Sequence, residues 1–134
     1  METIVIPLII IMLVSLVLYT ISVFNMQSKS LASRMNVGLV HLSLVLFIIG
    51  LFYMSGVSHN LPYNNVSYAM MDVHQGVGFI SLIVLIIHSI FTPILKRKKI
   101  KLASKAKVFN IILWIIYLVT FVIAIYIGIL ASIK

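Results

Sequence analysis

Cysteine is absent from this 134-residue chain, and acidic residues are nearly so: Glu2 and Asp72 are the only two. The first absence excludes disulfides, thiolate-bound metals, iron–sulfur clusters and covalent cofactor attachment through C-x-x-C-H. The second leaves no pair of carboxylates for acid–base work, and no nucleophile–base pair can be read either. A hydrolase or transferase is therefore not expected. Proline is scarce as well. Of the three, Pro7 falls in the first turns of an apolar run, where a missing amide hydrogen costs little. Pro93 lies near the end of another run and cannot donate to the carbonyl of Ser89.

What the chain has in abundance is apolar sequence. It is 63% hydrophobic and 9% charged, with a mean hydropathy of +1.24. A soluble domain of this length has too little interior for so much apolar surface, so the bilayer is the expected solvent. Four runs reach the roughly 20 residues needed to cross a hydrocarbon core, at about 3–24, 36–56, 73–95 and 108–132. Little lies between them. The expected fold is all-α: one integral-membrane, antiparallel four-helix bundle spanning residues 1–134. The first run lacks a basic flank and a cleavage site, so it reads as a retained span rather than a signal peptide.

The formal charge of +8 is unevenly placed. Lys29 and Arg34 occupy the first connection. Lys96, Arg97, Lys98, Lys99, Lys101, Lys105 and Lys107 crowd the third, whereas the second, 57–72, has no Lys or Arg. The positive-inside rule places connections one and three in the cytoplasm and both termini outside, in the cell membrane. The lysine cluster would meet anionic lipid headgroups there, and nucleic acid is not an expected partner.

Residues 36–95 contain all four histidines. Intramembrane histidines are costly and usually functional. His41 is seven residues from Arg34, and His88 eight from Lys96, placing them roughly 10 and 12 Å inside the same edge. Two imidazoles at matching depth on adjacent helices predict a non-covalent heme b with His41 and His88 as axial ligands. His74 precedes His88 by fourteen residues, so the two share a face roughly 21 Å apart. A second heme between His59 and His74 would follow if the second helix continued that far, but Gly56, Ser58 and Asn60 oppose its continuation.

Other candidates surround the expected crevice. Gly38, one turn before His41, and Gly78 could admit a flat ring. Asn110, Trp114, Tyr117 and Phe121 share a helical face and could wall it, and Arg34 and Arg97 could meet its propionates. Ordinary packing explains these glycines and aromatics equally well. Interhelical hydrogen bonding is the plain alternative for the histidines. A zinc site wants three or four close ligands, and a proton relay would need carboxylates that the spans lack. In the first run, Ser15, Tyr19 and Ser22 are expected to face the bundle, and Asp72 to cap the third helix.

The short first connection, H-L-S-L at 41–44 and D-V-H-Q-G-V-G at 72–78 with a later buried histidine resemble the small bacterial heme-responsive membrane proteins of the HsmA family over the whole chain. The resemblance implies a heme-binding membrane protein serving heme tolerance and oxidative-stress protection. A broader similarity to b561-type cytochromes implies the alternative, a di-heme transmembrane electron carrier. Those proteins have more spans and more helix-borne histidines. Homo-oligomerisation is open.

Overall fold

The computed structural model describes residues 2–57, 66–98 and 102–132. They form four helices: α1 (Glu2–Lys29), α2 (Arg34–Val57), α3 (Tyr68–Lys98) and α4 (Ser104–Ser132). All four are long and apolar enough to cross a bilayer, and the fold is the expected all-α membrane bundle. The helices overrun the apolar runs at several ends. Polar residues at a membrane edge extend a helix without entering hydrocarbon, so hydropathy marks the span rather than the helix.

Helix α3 begins at Tyr68, five residues before the apolar run, and this displaces the expected cap. Ser67 is the residue that ends the loop: its Oγ accepts from the Met70 amide at 3.2 Å. Asp72 lies within α3, is exposed, and does not cap it. At α2, Ser33 and Asn36 form a reciprocal cap. The Ser33 amide donates to Asn36 Oδ1 at 2.8 Å, and the Asn36 amide donates to Ser33 Oγ at 3.3 Å. Both ends of α2's first turn are thereby satisfied. Pro93 lies inside α3, which continues to Lys98.

Each helix packs against its neighbours in chain order, and α4 closes the ring on α1. The faces are inverted relative to a soluble bundle. The exposed surface is Ile, Val, Leu and Phe, as at Ile10, Val17, Phe52, Ile90 and Val122. The buried stripe carries the small and polar residues: Ser15, Tyr19 and Ser22 on α1, Asn36 and Ser43 on α2, Ser81, His88 and Thr92 on α3, and Asn110 on α4. This follows from the solvent. Lipid is as apolar as leucine, so helices associate through close packing and hydrogen bonds rather than by hiding apolar surface. Ser15 and Ser43 illustrate it: each hydroxyl donates to the other's backbone carbonyl side of the α1–α2 seam, Ser15 Oγ to Ser43 O at 2.8 Å and Ser43 Oγ to Ser15 O at 2.7 Å. Gly50 admits the Met12 side chain so closely that a Cβ there would lie 2.7 Å from Met12 Cε.

At the end of the bundle bearing the basic connections, the Leu102 amide donates to the Ser30 carbonyl at 2.7 Å. Ser30 holds a φ of 55° to make the turn, a left-handed conformation that serine rarely adopts. The bond joins connections one and three. A cavity opens towards the opposite end.

Candidate functional site

Two polar constructions occupy the bundle at different depths. Nearer the basic end, His88 is completely buried, and both of its ring nitrogens are engaged. Tyr19 Oη lies 2.6 Å from Nδ1, across the α1–α3 diagonal, and Asn110 Oδ1 lies 2.7 Å from Nε2. The direction of these bonds follows from Asn110. Its amide nitrogen donates to the Val23 carbonyl and to Gln27 Oε1, both at 3.1 Å, so its oxygen is left to accept. His88 therefore donates through Nε2–H, and Tyr19 donates to Nδ1. The unit is closed: every donor meets an acceptor.

The expected axial pair is not brought together. His41 lies on the exposed face of α2, while the buried stripe of that helix runs through Asn36, Val40, Ser43 and Phe47. One residue past Val40 is a rotation of about 100° away from the core. Azimuth separates the two histidines: His41 is exposed and His88 is fully buried. Depth counting fixes only one of the two coordinates of a helical residue, and rotation about the axis is the other. His88 also has no free nitrogen to offer iron while Tyr19 and Asn110 hold it.

Near the other end lies a cavity of about 550 Å³ between α1, α2, α3 and α4. Its walls are apolar, among them Leu8, Met12, Phe47, Leu51 and Phe121, and His74 and Gly78 both line it. His74 is half-buried, and its Nε2 lies 3.3 Å from Met54 Sδ. Its buried Nδ1 has no hydrogen-bond partner among the described residues. Gly128 of α4 leaves room for the ring, with a Cβ there 3.6 Å from His74 Cε1. A thioether has no hydrogen to donate. Whichever nitrogen carries the hydrogen, the lone pair of the other meets no donor among the described residues.

The remaining expected residues divide. Tyr117 is buried behind the cavity, stacked on Phe121 at 5.7 Å and tilted against Phe47 at 6.0 Å. Trp114 turns towards α1, where Nε1 donates to Thr20 Oγ1 at 3.0 Å. It is a packing residue at the helix seam rather than a wall of the cavity. Gly38 faces open space beside His41. Arg34 and Arg97 are exposed. His59 lies outside the described residues, so its pairing with His74 is not represented. No group of three or more His, Asp or Glu fit to hold a bare metal ion occurs among the described residues. The spacing does not predict Tyr19 and Asn110 as partners of His88, nor Gln27 as the partner of Asn110. The sequence offered one signal, the lone amide of α4 on the same stripe as Tyr117.

Fold and seams define a multi-pass, four-helix membrane protein with a ligand-sized, partly open cavity between its helices. The chain matches no family model, no curated protein and no solved structure.

Proposed function

We propose that this protein binds heme b non-covalently inside the bilayer, in the cavity lined by His74, and holds it in the service of heme tolerance. The observation that carries the reading is the unsatisfied lone pair of a half-buried imidazole on a 550 Å³ apolar cavity. Ligand pockets span roughly 300–1,000 Å³ and combine apolar walls with a few placed polar groups. The residues fit the group. Imidazole and thioether are both established heme ligands, and they stand side by side on α3 and α2. His74 would hold the iron, with Met54 beside it as a second donor, while Phe47, Leu51 and Phe121 would exclude water. Bound heme would supply one-electron redox chemistry. Gly78 keeps the α3 wall thin, since nothing lies within 4 Å of a Cβ placed there.

The placement replaces the His41–His88 sandwich, because His88 is already saturated. The basic connections, with Lys105 and Arg97 exposed, would rest against anionic headgroups on the cytoplasmic side. The test is titration of the detergent-purified protein with hemin. His74→Ala should abolish the Soret band of the cavity-bound heme, and Met54→Leu should shift it. Retention of an unchanged spectrum by His74→Ala would defeat the assignment.

A further inference from the structure

His41 is a polar side chain on a surface that faces hydrocarbon. Its Nδ1 lies 2.8 Å from the Val37 carbonyl of its own helix. A carbonyl only accepts, so Nδ1 carries the hydrogen, and the lone pair of Nε2 points away from the backbone with no group to meet it among the described residues. Metal-binding histidines are held in this way, with the non-ligating nitrogen donating to a backbone carbonyl that fixes tautomer and ring orientation. An imidazole left bare in lipid is costly.

Its surroundings on α2 are specific. Gly38, one turn towards the basic end, is exposed, and a Cβ there would touch nothing within 4 Å. The surface beside the imidazole is therefore flat. Arg34 is seven residues before His41, which returns it to within about 20° of the same azimuth and roughly 10 Å nearer the basic end. Arg34 is exposed as well. Cation, flat patch and imidazole thus form one stripe, with the cation at the membrane edge and the aliphatic Val45 on the far side.

We propose that this stripe is half of a second metalloporphyrin site, completed by a second copy of the chain. This rests on the reading that the protein takes up heme. A twofold axis along the membrane normal would bring two His41 side chains to the same depth by symmetry. One ring would lie between the two Gly38 patches, ligated on each face by an Nε2, with its propionates towards the two Arg34 guanidiniums. Such a ring satisfies the outward Nε2 of each His41, which no contact among the described residues does. Val37 acts as the positioning residue through its carbonyl.

The experiment uses full-length protein in nanodiscs, hemin as ligand, and His74→Ala as the background in which the cavity site is silenced. Expected there is one hemin per two chains, a low-spin bis-imidazole electron paramagnetic resonance signature, and a shift from monomer to dimer on hemin addition. His41→Ala added to that background should abolish all three. His41 is lipid-exposed, so this substitution leaves the packed interior intact. Iron-free protoporphyrin should not dimerise the chain. If His74→Ala binds no hemin while the wild type binds one per chain, the second site is refuted and the cavity site stands. If hemin remains bound after loss of both histidines, or the wild type binds none, the heme reading itself falls and takes this site with it.

Discussion

Each of the three described histidines is decided by what its two nitrogens find. At His88 both are matched, at His74 one lone pair meets no donor among the described residues, and at His41 one nitrogen is spent on Val37 while the other faces outwards. The saturated residue should matter most to stability. His88→Ala removes a fully packed ring together with both hydrogen bonds, a loss of roughly 3 kcal/mol by analogy with large-to-alanine core changes. Tyr19→Phe keeps the ring contacts with Tyr117, at 4.8 Å, and loses one hydrogen bond. Hydrogen bonds between membrane helices average about 0.6 kcal/mol, so this variant should be several-fold milder. Unfolding midpoints in detergent check both. Equal losses would mean that the hydrogen bond, rather than the packing, holds the centre.

Among the elements, α2 carries the most distinct devices. Its start depends on the reciprocal Ser33–Asn36 cap, and Ser33→Ala should cost about 1 kcal/mol. The Asn36 side chain also donates to the Ser22 carbonyl and to Asn25 Oδ1, so Asn36→Ala should cost more than Ser33→Ala. Further along, Gly50 and Met12 form a tight contact between α2 and α1. Gly50→Leu overfills that seam and should cost about 1–3 kcal/mol. Met12→Ala in the same protein should recover much of the loss, because the conflict is with a flexible side chain rather than with backbone. A double-mutant cycle showing no coupling would contradict the contact.

For the whole molecule, the distribution of charge sets the orientation expected in the membrane. The positive-inside rule puts the first and third connections in the cytoplasm. The natural absence of cysteine makes this easy to measure. Ser28→Cys or Ser104→Cys should resist an impermeant maleimide in intact cells and react after permeabilisation, whereas Ser67→Cys should react from outside. The reverse pattern would place the cavity mouth on the cytoplasmic side and change the source of any ligand entering it.

Composition and periodicity by themselves determined the solvent, the four helices and the inward faces. Ser15, Tyr19 and Ser22 on α1, and Asn110, Tyr117 and Phe121 on α4, lie inside as their spacing requires. These properties are local, since a helical residue's direction follows from its neighbours three and four positions away. Pairing between helices is not local. It depends on how each helix is rotated about its axis, and one residue of rotation moved His41 from the expected core to the lipid face. Tertiary structure alone joined His88 to Tyr19 and Asn110, residues 69 and 22 positions distant. It also left His74 with an unmatched nitrogen, because only packing decides which acceptors and which empty volume a buried ring will meet.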